Sequence, residues 1–344
     1  METYLEIAEY RIAVQLWKIA PPILLILGTA GNLLTIIVLM QRKNRQSSTS
    51  LFLTALAVSD LLALWSGLFR GWLVYLIDID LRKFSQFGCK FHLFLVYFSF
   101  QCSSWFLVGV TMDRFIGVLL PHRVKVICSP QKAGVIIMLV IALLFLLNLH
   151  WFYGQTITYY PITNTSGLYF CETIMEDRYQ IFLYIWRWID LCIVSIVPLT
   201  ILSIANITII VRLAIRKRNK RVQIAPSTRQ AARTLDKMSQ LTTMLITVNI
   251  MFIICSTPIS LFMIVQVKWL EASETFHDFA VFLLWWAVVN MLAYLNCTLN
   301  FVLYFLSGSR FRQEVKDFFR RKCCAVGSNI PHLRTTNQTK KYIL

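Results

Sequence analysis

Residues 133–153 read AGVIIMLVIALLFLLNLHWFY and contain no Asp, Glu, Lys or Arg. A helix needs about 20 apolar residues to cross the hydrocarbon core of a bilayer, and this stretch is apolar nearly all round rather than along one stripe. Because backbone inside a bilayer must satisfy its own hydrogen bonds, the stretch is predicted to be a helix. Six further apolar runs lie at 17–40, 51–77, 89–120, 181–211, 239–266 and 279–306. The sequence therefore predicts an all-α membrane protein, a seven-transmembrane helix bundle.

Positive charge is distributed unevenly along the chain, which carries a formal net charge of +17. Lys and Arg cluster in alternate connectors, at 42–45, 123–132 and 212–237, and again in the tail at 310–322. By the positive-inside rule these segments are cytoplasmic, so seven spans put the amino terminus outside the cell and the carboxyl terminus inside. The basic segments suit anionic lipid of the inner leaflet, which favours membrane lipid over nucleic acid as a partner.

Four segments follow from these boundaries, in a protein expected to be multi-pass in the plasma membrane. They are an extracellular amino terminus at 1–16, a seven-transmembrane domain at 17–308, a short amphipathic helix at 309–322 and a cytoplasmic tail at 323–344.

Two of the nine cysteines lie on the predicted outer side, Cys89 at the start of the third run and Cys171 in the longest outer connector. In an oxidising compartment they are predicted to form a disulfide, with two free thiols as the alternative. Asn164, in the same connector, begins an Asn-x-Ser/Thr triplet and is a predicted glycan site. Cys323 and Cys324 are predicted palmitoylation sites, with a free cytosolic pair as the alternative.

One acidic residue, Asp60, lies midway along the second run, where a charge is costly and therefore indicates function. Asn32, Ser103, Asn296 and Asn300 lie at depths where they could face it. Carboxylate, hydroxyl and amide oxygens together suit a hard cation, most simply sodium. A hydrogen-bonded polar cluster with water and no ion is an equal alternative.

Charged and aromatic residues gather near the outer ends of the runs. Arg70, Arg187 and Asp190 lie there, and so do eight of the ten tryptophans, including Trp285 and Trp286. An interfacial aromatic belt explains some of these tryptophans, but a belt occupies both faces of a bilayer. Their one-sided distribution also suits an aromatic-walled cavity with a few fixed charges.

Asp113 and Arg114 end the third run on the predicted inner side. In one interpretation the two charged side chains only extend from the helix end to the polar membrane surface and have no functional role. In the functional interpretation, Arg114 is held by its acidic neighbour in one state and released to a cytoplasmic partner in another.

The joint order and spacing of several short motifs resembles the rhodopsin-like, class A family of G-protein-coupled receptors, over about residues 17–324. The motifs are Gly31-Asn32, Leu56-Ala57-Val58-Ser59-Asp60, Asp113-Arg114-Phe115, Pro198, Phe252 with Cys255 and Pro258, and Asn300 with Tyr304. The resemblance implies a short eighth helix that begins at Phe311, with its apolar face formed by Val315, Phe318 and Phe319.

Several positions depart from the family pattern. Ile141 and Ser256 stand where the family has tryptophans in its fourth and sixth helices, and Phe301 replaces the seventh-helix proline. Asn206 replaces a fifth-helix tyrosine, and Met238 replaces the acid that often pairs with the third-helix arginine. We therefore hypothesise signalling in the absence of agonist.

The resemblance implies a two-state receptor for an extracellular ligand. Asp113 and Arg114 would couple it to a heterotrimeric G protein, with arrestin as a further partner. Asp60 and its neighbours, with Tyr304, would act as a polar switch, and no cofactor other than an allosteric sodium ion is expected.

The class of ligand follows partly from absences. Tyr294 stands where opsins carry their retinal lysine, and Val96 and Tyr97 stand where amine receptors place an aspartate. What remains is similar to peptide receptors, and neuropeptide receptors most of all, with an amidated neuropeptide as the preferred ligand. The candidate ligand-binding residues are Arg70, Val96, Tyr97, Phe100, Gln101, Arg187, Asp190, Trp285, Trp286 and Tyr294.

Three alternatives compete with a peptide receptor. A transporter or channel would distribute charges through the membrane core, yet Asp60 is nearly alone. An enzyme would group catalytic side chains, whereas the five histidines are scattered, so no catalytic residue is predicted. A chemosensory receptor for small molecules, on the same fold, is the third.

Overall fold

The structure is a computed structural model that describes residues 7–161, 167–222, 229–307, 311–318 and 320. Within these ranges side chains are described except at 167, 216, 217, 219–222, 229–245, 248, 304, 306 and 307. Within these described ranges seven helices are long and apolar enough to cross a membrane, which confirms the predicted bundle. In chain order the helices are α1 Ala8–Leu39; α2 Ser48–Ala63, Leu64–Leu68 and Phe69–Ile77; α3 Gln86–Leu119; α4 Pro130–Asn148 with His150–Gly154; α5 Asp177–Leu191, Cys192–Ile196 and Val197–Val222; α6 Arg229–Ala272; and α7 Phe276–Ser307.

Local sequence signals fix several helix ends. The Ser85 hydroxyl accepts a hydrogen bond from the Gly88 N–H and begins α3, and Ser129 caps α4 in the same way. Pro130 follows at the first position of α4, where a missing N–H costs nothing. Asp78 ends α2 in the left-handed conformation, with φ of 56°. At the amino terminus α1 begins at Ala8, whereas the predicted span starts at 17.

Two π-helical turns interrupt the α-helical ladder, at Leu64–Leu68 in α2 and at Cys192–Ile196 in α5. The second ends just before Pro198, whose ring nitrogen has no hydrogen to donate to the preceding turn. Each π turn rotates the remainder of its helix relative to a regular α-helix. The apolar pattern of the sequence carries no sign of this rotation.

The eighth helix, α8, spans 311–318 and packs against the end of α7. Phe311 and Val315 are buried, and the Phe311 ring meets the Phe301 ring edge-on at 5.9 Å between centroids. The Arg312 side chain donates a hydrogen bond to the Phe305 carbonyl at 3.0 Å. The structure therefore shows a helix with a buried apolar face over 311–318, inside the predicted 309–322. Phe319, predicted to complete that face, lies outside the described residues.

Two strands, β1 Gln155–Pro161 and β2 Gly167–Thr173, form an antiparallel hairpin between α4 and α5. The predicted disulfide is confirmed, since Cys89 is bonded to Cys171 of β2. Gln86 adds three polar contacts from α3 to β1: it accepts from the Ile157 N–H at 2.9 Å and donates to the Thr156 hydroxyl at 3.2 Å and the Gln155 carbonyl at 3.5 Å. The hairpin marks one end of the bundle, here the hairpin end, and the opposite end is the α8 end.

Candidate functional site

A cavity of about 470 Å³ lies within the bundle towards the hairpin end. Residues of α1, α2, α3, α5, α6 and α7 line it. Seven of the ten candidate ligand-binding residues are among them: Arg70, Val96, Tyr97, Phe100, Asp190, Trp286 and Tyr294. The predicted aromatic wall with a few fixed charges is thus brought together in one place.

The other three candidates do not line the cavity. Trp285 is 51% exposed and faces away from it, although the adjacent Trp286 is a lining residue. Gln101 is fully buried behind Asp190, and Arg187 is half-buried on α5 outside the lining. Rotation about each helix axis, which position along the sequence does not specify, turns these three side chains elsewhere.

Asp80 lies between two arginines at the wall of the cavity. Arg70 donates from Nε to Oδ1 at 2.9 Å and from Nη2 to Oδ2 at 2.7 Å. Arg82 also donates from Nε and Nη2, at 3.1 Å and 2.8 Å. Burial alone would raise the pKa of Asp80, but the hydrogen bonds and charges of Arg70 and Arg82 hold it well below its ordinary value. The carboxylate is therefore ionised at neutral pH.

Several cavity residues are absent from the predicted ligand-binding set, among them Trp17, Arg82 and His92. Trp17 was counted only among the outer tryptophans, yet it is buried on α1 and stacks on the Tyr75 ring at 5.3 Å. Arg82 shares a short connector with Asp80. Opposite charges two residues apart were the feature of the sequence that could have indicated this ion pair. Nothing in the sequence indicated that His92 points inward.

Asp190, on the α5 side of the cavity, belongs to a buried amide network. Its Oδ1 accepts a hydrogen bond from the Gln101 Nε2 at 2.8 Å. The Gln101 Oε1 accepts one from Asn148, which also donates to the Leu144 carbonyl at 2.8 Å. Gln101 therefore orients an acidic cavity residue rather than meeting a ligand itself.

The polar residues predicted around Asp60 form a network below the cavity. Asp60 is fully buried and accepts hydrogen bonds from the Ser103 hydroxyl at 2.7 Å and from the Asn300 amide at 2.6 Å. Asn32 joins it indirectly, because its amide donates to the Cys297 carbonyl at 2.9 Å and so ties α1 to α7. Asn296 lines the cavity, as does Ser103, so the cavity reaches this network.

At the α8 end, Asp113 is bound by two hydroxyl groups from the first turn of α2. Ser48 and Thr49 each donate to one of its carboxylate oxygens. Both hydroxyl-bearing residues are buried, whereas Asp113 and Arg114 are half-buried. The sequence did not predict this clamp, which fixes the end of α3 against α2.

Two of the departures from the family pattern have visible structural roles. Ser256, in place of a tryptophan, lines the cavity. Phe301, in place of a proline, lies against Gly31 of α1, where an added Cβ would approach the Phe301 Cβ to 2.7 Å. Only glycine leaves room there, so the Phe301 ring and the small residue of α1 form a matched pair.

Several predicted sites lie outside the described residues: Asn164, the Tyr304 side chain, the Met238 side chain, Cys323 and Cys324. Their predicted roles stay predictions. Among the described side chains, no group of three or more His, Cys, Asp and Glu is placed to hold a metal ion.

Seven membrane-spanning helices, a disulfide-anchored hairpin and a cavity above a buried acidic network define a seven-helix membrane receptor. The family model described as 7 transmembrane receptor (rhodopsin family) matches residues 31–304. The chain therefore belongs to the rhodopsin family of seven-transmembrane receptors, which confirms the resemblance seen in the motifs. This is a family of receptors and not of enzymes.

Curated relatives extend along most of the chain. A C-C chemokine receptor type 1 of Homo sapiens is 26% identical over 320 residues, which cover 89% of this chain and 80% of the relative. The FMRFamide peptide receptor frpr-18 of Caenorhabditis elegans is 27% identical over 334 residues, covering 94% of this chain and 74% of the relative.

Proposed function

We propose that this protein is a plasma-membrane receptor that binds an extracellular peptide, by preference a neuropeptide, and activates a heterotrimeric G protein. The cavity carries the proposal, because it reaches Ser103 and Asn296 beside Asp60 and is lined by aromatic and charged groups towards the hairpin end. A volume of about 470 Å³ accommodates one end of a peptide rather than its whole length. The names of the two relatives, one a chemokine receptor and one an FMRFamide peptide receptor, support a peptide ligand.

The orientation follows from the distribution of charge. Basic residues crowd the connectors at the α8 end, so that end faces the cytoplasm and the hairpin end faces outward. Both cysteines of the disulfide lie at the hairpin end, which agrees with an oxidising exterior. A G protein would then bind at the α8 end beside Arg114, and arrestin would compete for the same surface.

Ligand binding at one end reaches the other by shifting a two-state equilibrium. The clamp of Ser48 and Thr49 on Asp113 holds the end of α3 in the described conformation. Agonist would favour the conformation in which this end accepts a G protein. Bound G protein would tighten agonist binding by the same factor, since coupling between sites is reciprocal.

A sodium ion fits the donor chemistry of the Asp60 network. The Asp60 carboxylate and the Ser103 hydroxyl oxygen would hold the ion, with the Asn296 amide oxygen next to them along the cavity. The ion supplies a positive charge that offsets the buried carboxylate. The Asp60 to Asn300 hydrogen bond would keep α2 and α7 together in the same state.

The proposal is tested by nucleotide exchange in membranes from cells that express the full chain with a promiscuous G protein. A peptide library is applied to the unmodified chain and to Arg114→Ala, with cell-surface labelling of both. We expect exchange that depends on peptide and is abolished by the substitution. Exchange that survives Arg114→Ala would contradict the coupling, and activation by metabolites alone would contradict the peptide ligand.

A chemosensory receptor for small molecules is the second candidate. The size of the cavity favours it, since about 470 Å³ lies within the range of small-molecule sites. A metabolite library in the same assay separates the two candidates.

A further inference from the structure

The two arginines at the cavity wall keep donors that Asp80 does not use. Each guanidinium contacts Asp80 through Nε and Nη2 only. The structure gives the Nη1 groups of Arg70 and Arg82 no hydrogen-bond partner among the described residues. Both side chains line the cavity, and Asp80 does not.

The charges in this cluster do not cancel. Two guanidinium groups meet one carboxylate, so the cluster carries one net positive charge, and the side chains of Arg70 and Arg82 are only 21% and 19% exposed. Asp190 also lines the cavity, but it bonds to Gln101 and forms no ion pair with either arginine. Within the described part of the chain the second arginine has no counter-ion of its own, and such a partly buried cation favours an anionic ligand group, since the interaction is stronger in a low dielectric.

His92 adds an acceptor beside this positive group. Its Nε2 lies 3.0 Å from the Ser66 carbonyl, which can only accept, so Nε2 carries the hydrogen. The other ring nitrogen, Nδ1, is buried and has no partner among the described residues. In this tautomer Nδ1 is a hydrogen-bond acceptor, and His92 lines the same cavity as Arg70 and Arg82.

We propose that the ligand presents a carboxylate to Arg70 and Arg82, and an adjacent N–H to His92. The proposal rests on the proposed function and names the part of the peptide that enters the cavity. A free peptide carboxyl terminus carries both groups within one residue. In an amidated peptide, the side chain of an aspartate or glutamate supplies the carboxylate and its backbone supplies the N–H. Guanidinium and carboxylate match as planar, two-point partners.

The first test compares three synthetic peptide libraries on the full chain, with G-protein nucleotide exchange as the readout. One library has free carboxyl termini and no acidic side chain, one is amidated with a single Asp or Glu, and one is amidated with neither. We expect one of the two acid-bearing libraries to activate at concentrations at least about 10-fold lower than the neutral library. Equal activation by the neutral library would overturn the carboxylate proposal while sustaining the peptide receptor. Silence of all three would overturn the proposed function itself.

The second test changes the charge of the cluster. Arg82→Met leaves the neutral Arg70 to Asp80 pair and should weaken the most active acidic peptides about 10- to 100-fold. Lys83→Met removes an equal charge one residue away, from an amine that lies 4.8 Å above the Phe170 ring and outside the cavity lining, and should change potency by less than about 2-fold. Equal losses in both variants would contradict the proposal. If Arg82→Met does not reach the cell surface, the library comparison decides alone.

Discussion

Asp80→Asn is expected to destabilise the hairpin end of the bundle. The substitution removes the only negative charge between Arg70 and Arg82, while it keeps the size and shape of the side chain. Five side-chain hydrogen bonds from the two arginines, from 2.7 to 3.2 Å, are weakened at once. Removing one partner of a buried ion pair costs about 3–5 kcal/mol, and partial solvent exposure of both arginines brings the expected cost to the lower end, about 3 kcal/mol.

The assay is thermal unfolding of the full chain in detergent micelles, and a fall in apparent Tm of at least about 5 °C is expected. The double variant Asp80→Asn with Arg82→Met is the matched control. It removes one of the two arginines that now repel each other, so part of the lost stability should return. A single variant as stable as the unmodified chain would refute the reasoning.

The same pair gives a pH dependence with a definite sign. Asp80 has a pKa below its ordinary 3.8 in the folded chain, because the hydrogen bonds and charges of Arg70 and Arg82 outweigh the effect of burial. Its contribution to stability is therefore complete above the unfolded pKa and is lost as the pH falls through the folded pKa. The difference in Tm between the unmodified chain and Asp80→Asn should stay constant from pH 8 to about 5 and narrow below about 4. A difference that shrinks between pH 7 and 5 would contradict this assignment.

Substitutions at the disulfide, at Gly67 and at Asn249 test the packing of the bundle. Cys89→Ser and Cys171→Ser should each lower the free energy of unfolding by about 3–4 kcal/mol, because each opens the same disulfide across a separation of 82 residues. The double variant should lose no more stability than either single variant. Unequal losses in thermal unfolding would contradict this. Gly67→Ala brings a Cβ to 2.1 Å from the Tyr294 hydroxyl oxygen and should lower the free energy of unfolding by about 1–3 kcal/mol. Adding Tyr294→Phe removes that oxygen and should restore part of the stability. A double variant no more stable than Gly67→Ala would place the clash elsewhere. Asn249→Leu should raise the Tm, because both polar atoms of this buried amide have no partner among the described residues; a lower Tm would show that the amide is satisfied.

Helix number and membrane character could be predicted because both depend on composition along the chain. A residue in a bilayer is surrounded by lipid or by neighbouring helices, and both are apolar. A span such as 133–153 can therefore be recognised from its own composition, without knowledge of the helices it contacts. The disulfide between Cys89 and Cys171 could be predicted for a similar reason, since assignment of cysteines to two sides left one outer pair.

The Asp60 network was predictable in part. Depth along each helix identified Ser103 and Asn300, and both bond to Asp60 in the structure. Depth could not distinguish a side chain that bonds to Asp60 from one that donates to a backbone carbonyl of another helix, as Asn32 does to Cys297. That distinction depends on the rotation of a helix about its axis, which neighbouring side chains set.

The sequence by itself determined seven spans, because hydropathy acts residue by residue, and it predicted a side of the membrane for each connector from the distribution of charge. Only the tertiary structure decided which side chains share a wall. Arg82 enters the cavity from a connector, while Gln101 and Trp285 turn away from it. The physical reason is that rotation about a helix axis and the path of a connector are set by contacts between residues distant in the chain, and π turns such as Leu64–Leu68 alter that rotation without any mark in the apolar pattern.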